Sequence, residues 1–237
     1  MDKLTSTARC SMLILLLIAL PACQLLNKGQ FDKPADETRY GQQKAAQIMA
    51  VTPLVENEPL QQYINHVGSW VAQQSSRPNL PWRFGLVKSD SIASFALPGG
   101  TVLITTGLFA LLENEAQLAA IIAHDVAHID SRHYVKALKK SDWQNLLSNG
   151  LPVGRDFDAD RNATVFLARA GYDAYAMLDI LTTLSAIDPN ADEMTYLNAT
   201  HPPAEHRLSI LVAEMDAHSR QFENGQLNTD RFLRFAR

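Results

Sequence analysis

Two histidines four positions apart, in the run His124-Asp125-Val126-Ala127-His128, are the residues best placed to do chemistry. On a helix that spacing puts both imidazoles on one face, one turn apart, so both can reach a single cation. The spacing alone is weak, because a chain with seven histidines can produce it by chance. The acid between them adds to it. Asp125 falls after Leu118, Ile121 and Ile122 and before Ile129 at helical intervals, inside an apolar stripe that should face the core. An unpaired carboxylate there would cost several kcal/mol, so it needs a metal-bound water, a cation or a hydrogen-bond donor beside it. A buried acid capping a neighbouring element is the plainer account.

A second cluster opens a later helix at Arg155-Asp156-Phe157-Asp158-Ala159-Asp160-Arg161. Asp156 and Asp160 share a face with Ala163 and Leu167, so acids again point along an apolar side. Acids in a first turn are also what the helix dipole favours, and that reading stands beside the chemical one. Two imidazoles from one helix and a carboxylate from another make a catalytic-type zinc set with the fourth position open for water. His124, His128 and Asp156 are thus the candidate ligands for one Zn2+ per chain. Asp160, one turn on, can accept a hydrogen bond from a liganding histidine and fix its tautomer.

Such a site needs helices packed face to face on a firm support. Apolar spacing predicts helices over 35–49, with Asp36 as N-cap, and over 54–74. Trp82 to Val87 alternates as a half-buried strand does, and Phe95–Leu97, Pro98-Gly99-Gly100 and Thr101–Thr105 read as strand, turn and strand. Beyond Glu113 helical patterns dominate. The fold class is α+β: a small antiparallel sheet followed by a helical bundle carrying the metal site. Residues 217–237 read as a surface helix or a loosely held tail, leaving 35–216 as the domain.

Lys3 and Arg9 precede a short apolar run, Met12 to Leu20, too short to span a bilayer; this is the form of a secretory signal. It ends in Leu20-Pro21-Ala22-Cys23, which resembles a bacterial lipobox, with residues 1–22 removed and Cys23 lipidated. Pro21 is an unusual occupant of its position. Cys10 would leave with the signal, so the mature domain would hold neither a free thiol nor a disulfide. Residues 23–34 read as a tether. A net charge of −4 with interspersed signs gives no electrostatic basis for binding nucleic acid.

Four blocks in order resemble the HtpX-type zinc metalloendopeptidases, the group that also holds the CaaX prenyl proteases, and within it the periplasmic lipoprotein branch. They are Ser94 to Gly100; Asn114 to Ala119 leading into His124–His128; Asp156 to Asp160 with Ala170-Gly171-Tyr172-Asp173; and Thr200-His201-Pro202-Pro203 with Arg207. By that resemblance Asp125 stands at the catalytic Glu, Asp156 at the third ligand, and Asp160 at an Asp supporting the ligands. His201 and Arg207 match residues of a loop over the active site, which could stabilise the oxyanion or position substrate. The strands at Phe95–Leu97 or Val102–Thr105 resemble an edge on which a substrate peptide pairs. This chain departs from the pattern in three ways: HDxxH replaces HExxH, the third ligand is Asp rather than Glu, and a Gly/Ala-rich insertion after His128 is missing.

The resemblance implies a zinc endopeptidase of the cell envelope that degrades misfolded or unassembled proteins, lipid-anchored at the outer membrane and facing the periplasm. The alternative is a catalytically impaired relative that holds metal and extended peptides as a chaperone or adaptor. Shortening the base by one methylene retracts it by about 1.5 Å, and a misplacement near 1 Å can cost on the order of a hundredfold in rate.

Overall fold

The computed structural model describes residues 31, 33–152, 154–216, 222 and 225–236. The candidate signal, Cys23 and most of the tether lie outside the described residues. Helix α1 (Pro34–Val51) opens on a proline, whose missing N–H costs nothing at a helix start. Its N-cap is Lys33, and Asp36 lies within the first turn rather than capping it. Helix α2 (Glu58–Ala72) is capped by Asn57, whose side chain accepts from the Leu60 N–H. Strands β1 (Arg83–Val87), β2 (Ser94–Leu97) and β3 (Thr101–Thr105) follow, then α3 (Thr106–Phe109), α4 (Glu115–Asp130), α5 (His133–Leu138) and α6 (Trp143–Asn149). The rest is α7 (Arg155–Ala170), α8 (Ala176–Ser185), a 3-10 turn at Asp192–Met194, α9 (Thr195–Thr200), α10 (Ala204–Asp216) and α11 (Thr229–Ala236). The layout is α+β, as the sequence patterns indicate.

The sheet corrects one detail of that expectation. β2 and β3 form the antiparallel hairpin, but β1 pairs parallel with β3, giving a mixed sheet in the order β1-β3-β2. The segment 88–93 carries the chain two strand spacings past β1, about 10 Å, and β3 fills the slot on its return. Gly99 (φ 82°) and Gly100 (φ 112°) make the turn in left-handed conformations that only glycine adopts cheaply. A side chain at Gly99 would also strike Thr38 of α1.

The two edges of the sheet differ. Along β1, Asn65 of α2 donates to the Phe84 carbonyl and accepts from the Phe84 N–H, and Gln61 does the same at Leu86. These amides mimic a neighbouring strand and close that edge. On the other side, Thr105 N–H donates to Ala93 O, so by alternation Phe95 and Leu97 bond to β3. The backbone groups of Ser94 and Ala96 therefore point outward along β2.

Helix α4 runs through the centre, with every residue from Glu115 to Ile129 buried. It packs most heavily on α7, where Ala159 and Ala163 face a helix rich in alanine and let the two backbones approach. That close pairing brings the two candidate half-sites together. Of the two readings of the C-terminal stretch, residues 229–236 take the helical one and are packed: Phe232 is buried against Phe109, and Phe235 stacks on Tyr63 at 4.4 Å. Arg231 pairs with the buried Glu115, which also accepts from the hydroxyls of Tyr63 and Tyr172.

Candidate metal centre

One turn of α4 sets the His124 and His128 rings 4.6 Å apart, with their Nε2 atoms at 3.0 Å. Asp156, in the first turn of α7, brings Oδ1 to 4.0 Å from His124 Nε2 and 3.8 Å from His128 Nε2. His201, at the C-cap of α9 where Pro202 and Pro203 follow, places Nε2 3.6 Å from the same oxygen. A tetrahedron with zinc–ligand arms of 2.0–2.1 Å has edges of about 3.3 Å. The separations of 3.0–4.0 Å among these atoms bracket that edge. The ligand atoms of His124, Asp156 and His201 lie within 4.8 Å of one another, and His128 joins them through its contact with His124.

Hydrogen bonds behind the rings decide which nitrogen is bare. His124 Nδ1 lies 2.8 Å from Asp160 Oδ1, an acceptor, so the proton is on Nδ1 and the lone pair is on Nε2. Arg207 Nη2 is 3.3 Å from that Nδ1 but is committed to Asp160 Oδ1 at 2.6 Å. The Thr200 hydroxyl donates to Tyr196 O at 2.8 Å, so it accepts from His201 Nδ1–H at 2.8 Å and leaves His201 Nε2 bare. Asp156 Oδ2 has no partner among the described residues. Lone pairs and a carboxylate packed this closely repel one another unless a cation lies between them, and a nitrogen/oxygen set of this kind suits zinc. The residues fit the ion.

Burial and charge tune the groups in opposite directions. Burial alone would raise the Asp160 pKa, but the Arg207 charge and the hydrogen bonds from Arg207 and His124 hold it well below the usual carboxylate range. Burial, with the neighbouring His124 and His133, drives His128 well below the usual imidazole value. Burial takes His133 down to about 4 and His201 to about 3, helped respectively by Arg155 and Arg207. Neutral imidazoles are ready to ligate without first losing a proton. Burial pushes Asp125 up to about 6 against the pull of His124, a hydrogen bond from Ser94, and Arg207. Asp156 is likewise raised by burial, with Arg207 and His124 opposing.

The fold brings together His124, Asp125, His128, Asp156, Asp160 and His201. Asp125 is 4% exposed, and its Oδ2 lacks a partner among the described residues. Arg207 departs from expectation. It lies in α10 rather than a loop, is buried, and gives Nε and Nη2 to Asp160 at 2.9 and 2.6 Å. It sits on the Nδ1 side of His124, away from the ligand atoms, so it braces the site instead of facing an oxyanion.

His133 was not foreseen. Its Nδ1 is 3.1 Å from His128 Nδ1, and it is buried. On a continuous helix, five residues turn about 500°, which would aim it roughly 140° away from His128. It reaches His128 because Arg132 takes a left-handed conformation and starts a new helix. A large groove of about 570 Å³, lined by Tyr63, Trp70, Glu115, Tyr172, Arg231 and Phe235, lies at the other end of α4 and is separate from this centre.

Residues 58–149 match the family model described as Peptidase family M48. That segment holds α2, the sheet and α4 with both histidines, while Asp156, Asp160, His201 and Arg207 lie beyond it. The beta-barrel assembly-enhancing proteases of Yersinia pestis and Escherichia coli are each 27% identical over 206 residues, covering 73% of this chain and 42% of theirs. The mitochondrial metalloendopeptidase OMA1 of Arabidopsis thaliana is 25% identical over 162 residues, covering 60% of this chain and 33% of its own. The chain thus spans less than half the length of these curated relatives. Through the segment that supplies its sheet and its two-histidine helix, this chain is similar to the metallopeptidases of family M48.

Proposed function

We propose that this chain is a zinc-dependent metalloendopeptidase of the bacterial cell envelope that degrades misfolded or unassembled proteins. The observation that carries this reading is the gathering of His124, His128 and His201 nitrogens around one Asp156 oxygen, at 4.0, 3.8 and 3.6 Å, beside an acid with an unpaired oxygen. His124, His128 and Asp156 form the lasting ligand set, because they stand on two tightly packed helices. His201 follows a six-residue helix, ahead of two prolines, and would stand at the fourth position. Hydrolysis needs that position for water, so His201 would have to move aside for a metal-bound water to form.

Bound zinc would acidify a water and polarise the scissile carbonyl. Asp125 takes the water's proton and returns it to the leaving amine. Its pKa, raised by burial to about 6, is near the range that suits a general base, and a dication beside it would draw it down. The open edge of β2 receives the peptide in extended form, through the outward N–H and C=O groups of Ser94 and Ala96. Tyr196 lies against Phe95 of that strand at 5.3 Å, so an aromatic pair borders the peptide's path.

The envelope assignment rests on the signal ending in Leu20-Pro21-Ala22-Cys23, and the assembly-enhancing names of the relatives are in keeping with it. Lipid on Cys23 would hold the domain at the outer membrane facing the periplasm, near unassembled envelope proteins. Zinc-loaded mature protein should digest unfolded casein, stop when a chelator removes the metal, and resume on reloading. A zinc-saturated protein that binds unfolded chains without cutting them would favour the adaptor reading. For the anchor, Cys23→Ser should leave the membrane fraction; retention there without lipid on wild-type Cys23 would reject it.

A further inference from the structure

We propose that His133 is a positioning residue of the metal centre, the buried acceptor that takes the Nδ1 proton of His128 and so leaves His128 Nε2 free for a cation. The inference rests on the zinc reading above and extends it to a residue outside the ligand set.

The His128 and His133 rings meet nearly edge to face, 5.1 Å between centroids and 79° apart, with Nδ1 facing Nδ1 at 3.1 Å. Only one proton fits between two nitrogens at that distance. His128 Nε2 in turn faces His124 Nε2 at 3.0 Å, and His124 has already placed its proton on the far side, toward Asp160. If the His128 proton lay on Nε2, it would be given to His124 and would occupy the space meant for the ion. With the proton on Nδ1, both Nε2 lone pairs face the centre. That tautomer needs an acceptor at Nδ1, and His133 Nδ1 provides it, keeping its own proton on Nε2. Each ring holds one proton in either arrangement, so only the tautomers are at stake. His133 does for His128 what Asp160 does for His124.

The aim of His133 is itself held from outside the bundle. The left-handed turn at Arg132 (φ 55°, ψ 38°) is pinned by its side chain. Nη2 donates to Phe31 O at 3.1 Å, and Nε makes an ion-pair contact with Glu37 at 3.1 Å, although its angle falls short of a hydrogen bond. Glu37, 1% exposed, takes two further bonds from Arg77, whose Nη1 also reaches Ile129 O in the last turn of α4. Helix α1 is thereby tied to the end of the metal-bearing helix, at the point where the chain turns His133 inward.

The test is the zinc dissociation constant of the mature chain, measured by competition with a chromophoric chelator, for wild type, His133→Phe and His133→Asn. Phenylalanine fills the ring's place without an acceptor, whereas the asparagine oxygen stands near the former Nδ1. His133→Phe should bind zinc about 10- to 100-fold more weakly, with the melting temperature of the metal-free protein not lowered, while His133→Asn recovers most of the affinity. Long-range proton–nitrogen spectra of the zinc-loaded wild type should show His128 protonated at Nδ1 and His133 at Nε2. Equal affinity in wild type and His133→Phe, equal weakening in both variants, or a His133 proton at Nδ1 would overturn the inference while leaving the zinc reading intact. A wild type that takes up no zinc would overturn both.

Discussion

Replacing Asp160 by asparagine tests the brace behind the metal centre. Arg207 is 4% exposed, and Asp160 takes two charge-assisted bonds from it, at 2.9 and 2.6 Å, while also accepting from His124. Asparagine keeps the shape but loses the charge, and its amide group must face either the guanidinium or the imidazole N–H, donor against donor. A buried cation left without its counter-charge costs about 3–5 kcal/mol. A domain of this size is stable by roughly 5–15 kcal/mol in total, so a large share of the margin is at risk. At about 2–4 °C per kcal/mol, the melting temperature should fall by roughly 6–20 °C. Arg207→Met should be similarly harmful, because it strands a buried carboxylate. The double variant should lose at least about 2 kcal/mol less than the two singles combined. Urea denaturation of the metal-free mature protein at pH 7 measures all four corners. An Asp160→Asn loss below about 1 kcal/mol, or strict additivity, would refute the buried-pair argument.

Asp125→Asn should retain zinc but lose proteolysis, since an amide cannot take the water's proton; undiminished cleavage of casein would remove Asp125 from the mechanism. Asp125→Glu should lower activity if the site has contracted around its shorter acids, and a gain from near nothing would mark the wild type as having given up catalysis. Stability should also depend on pH in a set direction. His133 and His201, at about 4 and about 3 in the fold against 6.5 unfolded, contribute stability that is complete above pH 6.5 and lost as pH falls toward those values. At about 1.4 kcal/mol per unit, His133 alone accounts for roughly 3 kcal/mol. Asp125, raised from 3.8 to about 6, works the other way, destabilising the fold as pH rises from about 4 to 6. Three depressed imidazoles, His128 included, outweigh the three raised carboxylates Asp125, Asp156 and Asp179. Metal-free protein should therefore be several kcal/mol weaker at pH 4.5 than at 7.5, and urea midpoints that rise on acidification would contradict this. Gly68→Ala should cost about 1–3 kcal/mol, because its new carbon would stand 2.3 Å from the Phe84 ring; an unchanged midpoint would mean α2 packs on β1 differently.

What could be read from the sequence was local and periodic. Helical spacing placed His124 over His128 and Asp156 below Asp160, and the turn at Pro98-Gly99-Gly100 announced its hairpin. These signals depend only on neighbours along the chain. The parallel pairing of β1 with β3 was hidden, because nothing in either strand says which one inserts between the others. His133 was hidden by the same periodicity that revealed His128: a non-glycine left-handed residue, Arg132, resets the helix phase, and its partners Glu37 and Phe31 lie far away in sequence. Arg207 read as a residue over the site because burial of a cation becomes visible only once its counter-charge is in view. The C-terminal stretch read as either a surface helix or a loose tail, because its polar composition conceals one face bearing Phe232 and Phe235, which only the surfaces of α2 and α4 make useful.

Elemental analysis of the purified mature protein, beside His128→Ala, tests the central claim most directly. Two imidazoles and a carboxylate on paired helices should hold about one zinc per chain, and His128→Ala should hold markedly less under the same conditions. A wild type with no divalent metal, whose melting temperature added zinc leaves unchanged, would contradict the metal centre and the peptidase built on it.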